Sequence, residues 1–153
     1  MLFHPPPRPV ILIVDADAAE LKTLRIGFEL EGFEVLEAPT VARMNEVLAG
    51  NRCHAALVDL MMPESNGLQL ARFLRANHPG VATVLMSAYH LSPVQLSRAD
   101  TGAVGFVPKP FRFETLVQFI RDKIAASGAE YRAVAGTTPP GGLSIPFDVP
   151  ETA

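Results

Sequence analysis

The chain predicts an α/β fold: a doubly wound, five-stranded parallel sheet with helices on both faces. Three observations carry this. Five apolar runs of strand length recur between residues 10 and 107, and segments of helical periodicity separate them. The runs are near-continuously apolar rather than alternating, as strands covered on both faces must be. The length of 153 residues suits one domain of ordinary size, since two would each bury too little surface.

Val10-Ile11-Leu12-Ile13-Val14 is apolar throughout and rich in β-branched residues, and reads as the first strand. Asp17 then opens a helix, with Glu20 three residues on as in a capping box. Leu21, Leu24, Ile26, Phe28 and Leu30 supply its apolar positions, and Gly32 suits its end. Phe33 to Glu37 is the second strand, Thr40 to Leu48 the second helix, and Ala55-Ala56-Leu57-Val58 the third strand. Leu68 to Leu74 belongs to a third helix that starts near Ser65 or Asn66. Val81 to Met86 is the fourth strand. Ser92-Pro93 starts a short helix, serine as N-cap and proline as its first residue. Ala103 to Val107 is a small fifth strand. Phe111 to Ile124 is a last amphipathic helix, with Phe113, Leu116, Val117, Phe119, Ile120 and Ile124 mostly on one side.

Prolines set the boundaries. Of the 14, Pro5, Pro6, Pro7 and Pro9 stand at the head and Pro139, Pro140, Pro146 and Pro150 in the tail. This divides the chain into an irregular head, 1–8, a core, 9–126, and a Pro/Gly-containing tail, 127–153, with no output domain. In the tail, Leu143, Ile145, Phe147 and Val149 alternate with polar residues and proline, so an extended segment would be apolar on one side and suited to docking.

The formal net charge of -3 leaves no basic face for nucleic acid. No apolar run approaches the roughly 20 residues that cross a bilayer, and the head lacks the apolar core of a signal peptide. The single cysteine, Cys53, forms no internal disulfide and reads as a small apolar residue, in keeping with a reducing cytoplasm. His54, His78 and His90 share no metal-ligand spacing.

In open parallel sheets the ligand site lies beyond the carboxyl ends of the strands. There the first strand ends at Asp15, the third at Asp59 and the fourth at Ser87, and Lys109 follows the fifth. Two neighbouring carboxylates repel one another and invite a divalent cation, for which hard oxygen ligands suit Mg2+. A lysine and a hydroxyl nearby suit the oxygens of a transferred phosphoryl group, and an aspartate can accept that group.

Four segments resemble the receiver domain of bacterial two-component response regulators. They are Ile11 to Asp15, Leu57-Val58-Asp59-Leu60-Met61-Met62-Pro63 with Gly67 following, Val84 to Ala88, and Phe106-Val107-Pro108-Lys109-Pro110-Phe111. The resemblance implies a flavodoxin-like sheet, with Asp59 as phosphoacceptor, Lys109 pairing with the phosphoryl group and Ser87 bonding one of its oxygens. It implies Phe106 as the aromatic whose rotamer follows Ser87, and a cis peptide bond before Pro110. Mg2+ would be held by Asp15, Asp59 and the Met61 carbonyl. The implied role is a single-domain, cytoplasmic phosphoprotein in a phosphorelay, with no enzymatic activity beyond its own phosphorylation and dephosphorylation. A sensor histidine kinase or phosphotransfer protein would be the donor and an unidentified protein the target. The face made by the helix after Ser92, the fifth strand and the last helix would serve target binding or a homodimer.

One position departs from the family pattern. Asp15-Ala16-Asp17 has alanine where the family usually carries a second acidic residue that ligates Mg2+, while Asp17 is explained as an N-cap. Metal binding is therefore expected to be weak. This keeps a phosphorylation-independent interaction module open as an alternative. A second rival is a haloacid-dehalogenase-like phosphatase, in which Asp15-x-Asp17, Ser87 and Lys109 would be the catalytic set. It is opposed by the helix that starts at once after Asp17 and by its silence on Asp59 and Pro63.

Overall fold

A computed structural model describes residues 7–63, 67–88, 94 and 105–133. The order is β1 (Val10–Val14), α1 (Ala18–Leu30), β2 (Glu34–Ala38), α2 (Val41–Gly50), β3 (Ala55–Asp59), α3 (Gly67–Asn77), β4 (Ala82–Ser87), β5 (Gly105–Pro108) and α4 (Phe113–Ala133). All strand pairs are parallel, in the order β2-β1-β3-β4-β5. This is the flavodoxin-like order, whose switch point lies between β1 and β3. The helix expected after Ser92 and the tail segment around Phe147 fall outside the described residues.

The apolar runs become strands because both faces of the sheet are covered. Leu12, Val14, Ala56, Val58, Leu85 and Phe106 point to a core shared with α2 and α3. Ile11, Ile13, Leu57, Val84, Met86 and Val107 point to the opposite core, shared with α1 and α4. β2 lies at an edge and is only partly buried, which explains the polar Glu34 and Glu37 within it. Cys53 is buried in the first of these cores, while His54 accepts the Val10 N–H on Nδ1 at 3.0 Å and ties the start of β1 to the approach of β3.

Helix ends follow local chemistry. Thr40 caps α2, its hydroxyl accepting from the Arg43 N–H. Gly32 takes φ +91 just past α1, a left-handed conformation that glycine adopts without strain. α4 runs beyond Ile124, where the apolar pattern stops, and continues to Ala133. No helix among the described residues is long and apolar enough to cross a membrane.

Gly27 lies in α1 under the Phe113 ring of α4, so close that a Cβ there would stand 2.5 Å from the ring's Cζ. Gly27→Val should therefore push Phe113 off Phe28 and cost about 1–3 kcal/mol, read as a lower urea midpoint. An unchanged midpoint would show that the ring moves aside freely.

Candidate functional site at the carboxyl edge of the sheet

Strand register brings the polar residues together. Val14 is level with Val58, Asp59 with Met86, and Ser87 with Pro108, so Asp15, Asp59, Ser87 and Lys109 follow one another along a single edge. Backbone bonds prolong the ladder past the strands: Asp15 N–H donates to Ala38 O, Leu60 N–H to Met86 O, and Lys109 N–H to Ser87 O. These bonds tie the site residues to the neighbouring strands.

Asp15 and Ser87 are buried, and Asp59 is 9% exposed. The Met61 N–H donates to Asp59 Oδ1 at 2.9 Å, while Asp59 Oδ2 lies 3.3 Å from Lys109 Nζ. Met61 itself is exposed, and Met62 turns into the core. Ser87 ends β4 with its backbone carbonyl bonded to the Lys109 N–H. Phe106 is fully buried among Val58, Leu85 and their neighbours. The Lys109–Pro110 peptide bond is cis.

The capping box at the start of α1 forms only by half. Asp17 Oδ1 accepts from the Ala19 and Glu20 N–H groups, so Asp17 is the N-cap. The reciprocal bond from Glu20 to the Asp17 N–H is replaced, because Asp15 Oδ1 takes that N–H at 2.9 Å. Glu20 instead turns inward to Lys109, with Oε1 2.8 Å and Oε2 2.9 Å from Nζ. It is the site residue that sequence reasoning missed. Its place three residues after an N-cap already had a local explanation, and nothing in the spacing announced a partner on the far side of the sheet.

Electrostatically the site is short of positive charge. Carboxylate oxygens of Asp15, Glu20 and Asp59 lie within 4.8 Å of one another, with Lys109 as the cation among them. Burial is the main reason that the Asp15 carboxyl is pushed up to about 7; the charges of Glu20 and Asp59 raise it further, against the Asp17 N–H and Lys109. Lys109 is held above its ordinary value, because the bond to Glu20 and the charges of Asp59, Glu20 and Asp15 together outweigh a desolvation that opposes them. Asp15 Oδ2 is buried without a hydrogen-bond partner. Hard oxygen donors, one of them unsatisfied, are the chemistry a small divalent cation takes, and Asp15, Glu20 and Asp59 each bring one such oxygen to the same space.

The family model for the response regulator receiver domain matches residues 11–121. The chain belongs to the response regulator receiver family. This receiver is 32% identical over 111 residues to the response regulator MprA of Mycobacterium sp. (strain KMS), which covers 72% of this chain and 48% of the relative. The receiver thus spans about half the length of the curated relatives it matches. Among solved structures it is similar to a CheY-like response regulator receiver domain protein from Methanospirillum hungatei JF-1. There the TM-score is 0.75 at 26% identity, over 81% of this chain and 99% of the other. It shares its fold with the signal receiver domain of an HD domain-containing protein from Pseudomonas fluorescens Pf-5. The TM-score is 0.74 at 17% identity, over 80% of the receiver and 99% of the other chain.

Proposed function

We propose that this receiver accepts a phosphoryl group on Asp59 from a sensor histidine kinase or phosphotransfer protein and signals through protein contacts. The observation that carries the reading is the placement of Asp59 at a buried strand end, with one oxygen held by the Met61 N–H and the other facing Lys109. Transfer from a phosphohistidine forms a bond between a carboxylate oxygen and phosphorus and breaks the bond between phosphorus and the imidazole nitrogen, which keeps the electron pair. Met61 fixes the plane of the carboxylate. Lys109 meets the charge on the arriving phosphoryl oxygens, and the Ser87 hydroxyl is the second group to bond one of them. When bound, Mg2+ supplies further neutralisation of those oxygens, held by Asp15, Asp59 and the Met61 carbonyl.

Contact with the target changes, in this reading, through Ser87 and Phe106, which sit on adjacent strands β4 and β5. The phosphatase reading loses support: α1 starts at Ala18, and the Asp17 carboxylate that would act as general acid is occupied as a cap. Ala16 favours the phosphorylation-independent module as the second reading.

Acetyl phosphate with Mg2+, followed by intact mass measurement, separates these. One added phosphoryl group is expected on the natural chain and none on Asp59→Asn. Labelling that survives in the variant would move the acceptor to another residue. No labelling of the natural chain, even at saturating Mg2+, would favour the interaction module.

A further inference from the structure

We propose that Glu20 is the third anionic ligand of this centre, doing from the first turn of α1 what an acidic residue at position 16 would do from the end of β1. The inference rests on the receiver reading and adds to it a residue outside the motifs that identify the family.

Three observations converge. First, Glu20 is drawn away from its local role. The Asp17 N–H that a capping box would offer it is bonded to Asp15, and its carboxylate reaches the centre instead. Second, a Glu20 oxygen lies within 4.8 Å of ligand oxygens of both Asp15 and Asp59, so a small inward movement would bring all three onto one ion. Third, Asp15, 1% exposed, holds Oδ2 without a partner inside this group. Three carboxyl groups face the ammonium of Lys109, so the group keeps a net negative charge for a cation to neutralise. Lys109 divides itself between Glu20 and Asp59, with the shorter contact to Glu20. Binding of the cation by Glu20 would release Lys109 toward Asp59 and an incoming phosphoryl group. Ala16 is exposed, so the position itself tolerates a longer side chain.

The test is calorimetric titration of Mg2+ into the full chain, into Glu20→Gln, into Ala16→Asp and into the double variant, with metal-free melting curves to show that each is folded. Glu20→Gln should weaken Mg2+ binding about tenfold or more, and adding Ala16→Asp to it should restore most of the loss. If Glu20→Gln does not fold, Glu20→Asp replaces it, and the shortened carboxylate should weaken binding in the same direction. Equal or tighter Mg2+ affinity in Glu20→Gln would overturn the proposal, leaving Glu20 as a counter-ion of Lys109. A loss that Ala16→Asp does not rescue would overturn it too, since the defect would then run through Lys109. Labelling of Asp59 in the natural chain is read separately. Labelling with unchanged affinity in Glu20→Gln sinks the role of Glu20 alone, whereas no labelling in any folded variant sinks the receiver chemistry on which it rests.

Discussion

Asp15→Asn should melt roughly 10 °C above the natural chain at pH 8 without divalent metal, and at the same temperature near pH 4. In the folded chain the Asp15 carboxyl is raised from 3.8 to about 7, mainly by burial. Below about pH 4 it is protonated whether folded or not, so its neutral form adds nothing for the amide to improve. As pH rises from 4 to 7 the unfolded chain gives up the proton while the folded one keeps it, so stability falls. Above about pH 7 the loss is complete, at about 4 kcal/mol. Asparagine stays neutral throughout and still offers Oδ1 to the Asp17 N–H that Asp15 accepts now. Saturating Mg2+ should narrow the gap at pH 8, because an ion that binds only the folded natural chain stabilises it by mass action. Coincident melting of the two proteins at pH 8 would mean that Asp15 is ionised in the fold at little cost.

Phe28→Ala is the most disruptive single change the structure suggests outside the site. Phe28 is fully buried, meeting Phe33 edge-on at 5.1 Å and 81° and Phe113 at 5.2 Å and 74°. Its loss should cost about 3–5 kcal/mol, from the transfer of the ring and the cavity left between helices that cannot close on it. Domains of this kind have only about 5–15 kcal/mol in hand, so the variant should lie near the edge of folding. Phe28→Leu should recover more than half of the loss. A urea midpoint shifted by less than the equivalent of about 1 kcal/mol would show that α1 and α4 are held by other contacts.

Much of this was legible in the residue pattern, for identifiable reasons. The strands announce themselves because a sheet covered on both faces demands unbroken apolar runs, and Ile11 to Val14 and Ala55 to Val58 have no other use. Asp15, Asp59, Ser87 and Lys109 were legible as a group because strand ends in a parallel sheet share an edge, and the register sets them there. Glu20 was not. A helix-start glutamate satisfies a short-range rule, and only the long-range contact to Lys109, across 89 residues of chain, reveals that the rule is broken. The end of α4 was also missed, since an apolar face marks where a helix packs and not where its backbone stops.

The two cores on either side of the sheet also bear on how the chain finds its alignment. Slipping β1 by one residue would exchange Ile11 and Ile13 with Leu12 and Val14 and bring no apolar side chain into water. Hydrophobicity, which pins the register of a one-sided sheet, is therefore nearly blind here. What such a slip would spoil lies at the tip: Asp15 would lose its place beside Asp59, and a carboxylate would be carried toward the apolar interior or out of the edge. The polar residues that make the site chemically interesting are, during folding, the index marks against which the greasy strands are set.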